Sequence, residues 1–501
     1  MEQKLTELKA RLQEIFDLGH INALLGWDQS TYMPPGGAAA RGRQSALLGE
    51  LAHRKSTDPE LGKLIDALLP YGESLPYDSD DASLIRLAKR EYENNVRVPA
   101  EWVAKFTEHT TLLYQTWAEA RPLNDFAKVR PGLEKTLDFS RQFGGFFPGY
   151  EHIADPLIDQ SDYGMKASSI RALFAELREQ LVPIVQAITA QPEADRSVIL
   201  QHFPQQGQLD FGKQVVEKLG YDFNRGRLDL THHPFTTKFS LGDVRITTRV
   251  NEHDFGDALF STIHEAGHAM YEQGIRMELE GTPLANGTSS GVHESQSRLW
   301  ENVVGRSLPF WQHFYPELQT RFPDQLGKVP LEAFYRAINK VEKSLIRVDA
   351  DEVTYNLHVM LRFDFELALL EGSLEVKDLP DAWRARFQSD LGLTPPDDKD
   401  GVMQDVHWYF GTIGGMFQGY TLGNILGAQF YDAAVLAHPE IPAEMQRGEF
   451  GTLHAWLVEN IYQHGSKFTA SELVQRAAGQ PLTIEPYIRY LRTKYGQLYS
   501  L

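Results

Sequence analysis

Helical periodicity runs through nearly all of this 501-residue chain and breaks clearly in one place. TELKARLQEIFDLGHINALL, SLIRLAKREYENNV and IRALFAELREQLVPIVQAI set apolar residues at i, i+3, i+4 and i+7 among charged ones, the pattern of helices with one buried face. The exception is FTTKFSLGDVRITTRV (235–250), rich in Thr, Val, Ile and Phe and alternating in character. It predicts a β-hairpin with Gly242 in the turn. Turn chemistry falls at YMPPGG (32–37), LLPYGESLPYDSDD (68–81), QPEADRS (191–197) and LTPPDDKDG (393–401). Each is short enough to join helices, and none is long enough for a domain linker. A mostly α chain is expected, with one small antiparallel element.

Composition removes several functions. Asp and Glu number 68 against 49 Lys and Arg, a formal charge of −19, and no basic stripe interrupts it, so nucleic acid is not an expected partner. Without cysteine there are no disulfides, thiolate metal sites or cysteine nucleophiles. The polar, helical N-terminal stretch shows no apolar signal core, and no apolar run approaches the roughly 18–20 residues that span a bilayer. No membrane association and a cytoplasmic location are expected.

The chemistry concentrates in FGDALFSTIHEAGHAMYEQGI (255–275), an amphipathic run whose His264 follows the hairpin by about a dozen residues. One helical turn separates His264 from His268, roughly 6 Å along the axis, so both imidazoles face the same way and can converge on Zn²⁺. Glu265 projects beside them, placed to take a proton from water. The third ligand sets the class. A metzincin would need Gly and His where this chain has Tyr271 and Gly274. Glu272 shares the face but lies about 12 Å up the axis from His264, too far to close a tetrahedron. A gluzincin takes a Glu from a following helix, and SSGVHESQSRLWENVVG (289–305) offers Glu294 and Glu301 on one face. Glu294 is the favoured ligand; Glu301 is either a carboxylate behind the ligands or a surface residue. The usual gluzincin carboxylate four positions after the ligand is Arg298 here, so Glu301, Asp349 and Asp351 are the candidates for orienting the histidines. Co²⁺ or Mn²⁺ would also suit two His and one Glu.

HPF (233–235), DVRIT (243–247), HEAGH (264–268), HESQ (293–296), IRVDAD (346–351) and GVMQDVHW (401–408) occur in one order along the chain. Together with LLGWDQSTYMPPGGAAARGRQ (24–44), this set resembles the carboxypeptidase Taq family of metallocarboxypeptidases. The resemblance implies a helical, gluzincin-like fold with a deep active-site groove, a homodimer, and metal-dependent release of C-terminal residues from peptides. One domain over 1–501 is expected, with a helical lid or dimer region at 1–230 and a catalytic region at 231–501.

On that reading His264, His268 and Glu294 hold zinc, Glu265 is general base, and the developing oxyanion needs a second electrophile. His407, supported by its motif, and Tyr420, by analogy with other helical gluzincins, are the candidates; a core histidine and a buried tyrosine are the alternatives. A free carboxylate is best gripped by a bidentate Arg. Arg245 on the hairpin and Arg347 are the candidates, the latter rivalled by an ion pair with Asp349, Asp351 or Glu352. Arg249 could equally be a surface residue. His233 would limit the groove on family grounds. Gln404 either hydrogen-bonds substrate backbone or ties its loop. Trp27 and Asp28 end a helix before Pro34 and Pro35 and carry no chemistry, which suits a junction or hinge. Two other functions fit part of the pattern: a zinc oligopeptidase cutting internal bonds, and a helical binding protein with a structural metal.

Overall fold

The structure is a computed structural model and describes residues 1–501. It is mostly helical, with one small sheet near the middle of the chain. No helix is long and apolar enough to cross a membrane.

The first helix, Glu2–Thr31, buries only Leu5, Leu8, Leu12 and Trp27, so most of its length lies outside any core. It turns back at Pro34 and Pro35 into Ala38–Ser56, a helix with no buried residue. Leu5, Leu8 and Leu12 instead join Leu61, Ile65, Leu68, Leu84 and Ile85 in a small core, closed by Leu241, Ile275, Leu279 and Leu284 from much later in the chain. From Leu113 onward most of the buried apolar residues belong to a second, much larger core. Packing therefore changes near residue 110, and the helices between there and residue 230 share a core with the residues that follow. One turn signal was too broad. Pro59–Ser74 continues through Pro70, and only the residues after it form the loop to Asp80–Arg97, which Ser79 caps by accepting from the Ala82 N–H.

The hairpin forms as its alternation demands. Strands β2 (Thr236–Ser240) and β3 (Asp243–Thr248) pair antiparallel around Leu241 and Gly242, and Val244 and Ile246 point into the core. A third strand, β1 (Leu228–Leu230), lies parallel on the far side of β3, giving the order β1-β3-β2. It is too short for its alternation to be read from sequence. Strand β2 is thus an edge. One of its faces carries Thr236 and Lys238, two residues apart as the pleat requires, and both reach the next helix.

That helix, Phe255–Gln273, contains HEAGH and is capped by Asp254, which accepts from the Gly256 N–H. It is buried on nearly every side. The helix Ser290–Arg298 crosses it, capped by Ser289 and held at its start by Asp162, whose carboxylate accepts the Gly291 N–H at 2.7 Å. Gly267 makes this crossing possible. A Cβ there would stand 2.6 Å from the Gln296 carbonyl oxygen, a backbone atom with no room to retreat. The helix Gln418–Ala437 closes from the other side through Gly423, where a Cβ would stand 2.5 Å from Glu294 Cγ. Glu294 is gripped between two glycine-bearing helices.

Candidate active site

The two glycine contacts bring the favoured donors together. His264, His268 and Glu294 each offer a ligand atom, and those atoms lie within 4.8 Å of one another. Glu294 Oε2 is 3.3 Å from His268 Nε2 and 3.7 Å from His264 Nε2. Both inner nitrogens therefore face one point, as the one-turn spacing predicts.

The outer nitrogens are tied differently. His264 Nδ1 is 2.9 Å from Glu301 Oε2. Glu301 gets there because the chain leaves α-helical winding at Leu299–Val304, a π-helical turn marked by Gly305 N–H donating to Trp300 O at 2.8 Å. The wider turn changes the direction of the side chains after it. His268 Nδ1 instead meets His293 Nδ1 at 2.6 Å, and His293 Nε2 lies 2.7 Å from Glu272 Oε1. Asp349 and Asp351, the other candidates for orienting a histidine, do neither: Asp351 accepts the Val353 and Thr354 N–H groups, and Asp349 lines an open hollow of about 640 Å³ with Arg249, Asp254 and Asp257. Arg249 pairs there with Asp257 at 2.9 Å.

Electrostatics favour a cation at the triad. Burial works against the charge of Glu294, yet Arg298, at 2.7 Å, and the two histidines hold its carboxyl well below the ordinary range. Glu301 is likewise buried, and its bond to His264 with the charges of Arg298 and Arg306 brings it to about 2. Two imidazoles with their outer nitrogens already bonded and one ionised carboxylate are a donor set suited to a divalent transition ion.

Glu265 projects from the same helix turn and is only 7 % exposed. Thr236 Oγ1 lies 2.7 Å from its Oε2, fixing one carboxylate oxygen and leaving the other free. Across the site, His407 Nε2 lies 3.2 Å from Tyr420 Oη, and His407 Nδ1 lies 2.5 Å from Asp405 Oδ1. Tyr420 sits one turn before Gly423, beside Glu294, and burial together with neighbouring Tyr355 pushes its phenol well above the usual range. It remains a hydrogen-bond donor at any working pH.

A model of the carboxypeptidase Taq (M32) metallopeptidase family matches residues 7–495. The chain belongs to that family. It is 40 % identical to thermostable carboxypeptidase 1 of Thermus thermophilus over 96 % of each chain, and 38 % identical to carboxypeptidase 1 of Bacillus subtilis over 99 % of this chain and 100 % of that one. Its fold superposes on the crystal structure of the M32 carboxypeptidase from Deinococcus radiodurans R1 with a TM-score of 0.97, at 51 % identity and full coverage of both chains. The Pyrococcus furiosus carboxypeptidase gives 0.95 at 32 % identity, covering 99 % of each.

The remaining motif residues of this M32 chain are Arg347, Gln404, Arg245 and His233. Arg347 is buried and ion-paired, but with Asp405 at 2.5 Å, not with Asp349, Asp351 or Glu352; it also donates to Tyr355 Oη at 2.9 Å. Arg362 brings a second guanidinium within 3.1 Å of Asp405. Gln404 has every hydrogen bond in use. Its oxygen accepts from Arg347 N–H and Arg362 Nη2, and its Nε2 donates to the carbonyls of Leu345 and Asp400. The amide ties the loop and has none left for a substrate. Arg245 forms a bidentate pair with Asp243 at 2.7 and 2.8 Å and stacks 4.5 Å over Trp27, pinning the first helix to the sheet. His233 is exposed, with Nδ1 3.0 Å from the Pro234 carbonyl.

Asp405, His293, Glu272, Arg362 and Thr236 were not singled out by sequence as parts of the site. Only Asp405 carried a usable local signal, a carboxylate two residues before a candidate catalytic histidine.

Proposed function

We propose that this M32 metallopeptidase is a zinc carboxypeptidase that removes C-terminal residues from peptides, with Glu265 as general base. The observation that carries the reading is the convergence of His264, His268 and Glu294 within 4.8 Å beside a carboxylate that Thr236 holds by one oxygen only. Zinc bound by those three residues would supply the Lewis acidity that makes water nucleophilic near neutral pH. The free oxygen of Glu265 takes the water proton as the scissile carbonyl is attacked, and returns it to the departing amine. Tyr420 Oη, kept protonated by burial, donates to the oxyanion as it forms, with His407 Nε2 beside it at 3.2 Å. Asp405 fixes the His407 ring through Nδ1.

We assign the terminal carboxylate of the peptide to Arg347. Its Cζ lies 5.3 Å from the Tyr420 ring, and each terminal nitrogen keeps a hydrogen beyond its bonds to Asp405 and Tyr355. Arg245, which keeps Nη1 beyond its pair with Asp243, is the second candidate, and His233 a limit on peptide reach. A chelator should abolish release of C-terminal residues, and one equivalent of zinc should restore it. Full activity after exhaustive metal removal would refute the proposal.

A further inference from the structure

Strand β2 touches the HEAGH helix through two side chains, and only Thr236 faces the reacting centre. Lys238 points up the helix to Glu272, with Nζ 2.6 Å from Oε2. It also donates to Asn286 Oδ1 at 2.8 Å and to the Ala285 carbonyl. The pair is buried, the two side chains 8 % and 9 % exposed. Desolvating both charges leaves little net stability from such a pair, so its place in the fold asks for another reason.

Bond polarity supplies one. Lysine has donors only, and the carboxylate it holds charged has acceptors only. Glu272 Oε1, 2.7 Å from His293 Nε2, must therefore receive a proton from that nitrogen. The other nitrogen of a neutral His293 is then an acceptor, and it lies 2.6 Å from His268 Nδ1. His268 must donate from Nδ1, which leaves the lone pair on Nε2, the nitrogen that faces Glu294. With one proton on each ring, each link allows one polarity, and the last gives the tautomer a metal ligand needs.

We propose that Lys238, Glu272 and His293 form a positioning chain that holds His268 as the Nδ1–H tautomer, ready to bind a divalent ion through Nε2. The inference rests on the metal reading of the preceding section. It means that the two histidines of one motif are set by different devices, His264 by Glu301 directly and His268 through an interposed imidazole. The reason is reach. Glu272 lies one turn beyond His268 on the same helix face, where its short side chain cannot come back to Nδ1, and the His293 ring fills the gap.

The test uses the full chain stripped of metal, titrated with Zn²⁺ against a chromophoric chelator. Wild type should bind one equivalent. His293→Phe, which removes both bonds but leaves Lys238 and Glu272 paired, should bind zinc about 10- to 100-fold more weakly. Its metal-free thermal midpoint should stay near that of wild type, a separation that a merely structural role would not produce. A folded His293→Phe with zinc affinity within twofold of wild type would overturn the chain. Histidine ¹⁵N NMR of metal-free wild type decides the matter without any variant: a protonated Nδ1 and bare Nε2 on His268 support the chain, and the reverse overturns it. Failure of wild type to bind zinc would fall on the metal assignment, while the tautomer would still decide this inference.

Discussion

Glu301 Oε2 stands 2.9 Å from Nδ1 of His264, carried there by a π-helical turn that follows the helix bearing Glu294. One short segment thus offers a carboxylate to the inner side of the histidine pair and another to the outer side of His264. On the proposed reading, binding an ion and handling its proton chemistry fall to different residues, because Glu265 belongs to neither set.

Glu265→Gln should therefore lose hydrolysis by at least about 10²–10⁴-fold while still binding one equivalent of zinc. Thr236 can keep its hydrogen bond to the amide oxygen, so the side chain should stay in place. Metal analysis beside a peptide assay checks both halves.

Tyr420→Phe should lower kcat by about 10²–10³ and leave KM within a few-fold, since the phenol is assigned to charge that develops only during attack. His407→Gln should act in the same direction. A Michaelis analysis on one short peptide separates this from a binding role, which would raise KM with kcat unchanged.

Gly267→Ala should destabilise the protein by about 1–3 kcal/mol and weaken metal binding as well. The added methyl meets a backbone carbonyl at 2.6 Å, so the helix carrying Glu294 must move away. Thermal unfolding and zinc titration of the same variant read the two effects.

Glu366 predicts a pH dependence of stability. Burial pushes its carboxyl up to about 8, against a bond from Trp408 Nε1 at 2.9 Å. The unfolded chain releases that proton near pH 4.3. Between the two values the native state holds the extra proton, so stability is full below about pH 4.3 and falls as pH rises toward 8, by a few kcal/mol in all. Glu366→Gln should flatten this slope and raise the thermal midpoint above wild type at pH 9. Unfolding curves from pH 5 to 9 check it.

The parts of the site that follow from local periodicity were legible in the sequence. His264 and His268 share a face because a helix turns every 3.6 residues, and the hairpin follows from alternation around Gly242. Glu294 was reachable by excluding Glu272 on distance. What could not be read depends on contacts between distant segments. Nothing local says that Arg347 pairs with Asp405, or that Glu272, too far to bind the ion, meets His293. The aim of Glu301 depends on a π-helical turn that helical periodicity does not announce. Pro70 misled because a proline near the end of a helix reads as its boundary. The middle helices are amphipathic like all the others, and only the folded structure shows which core they enter.

The proposed activity is removal of residues from a free C-terminus with the help of a bound metal. One peptide sequence in two forms, free acid and C-terminal amide, would be incubated with zinc-loaded protein, with and without chelator, and the products followed by mass spectrometry. A ladder of shortened products is expected from the free acid, none from the amide, and none from either with chelator. Internal cleavage of both forms, or release that survives complete metal removal, would contradict it.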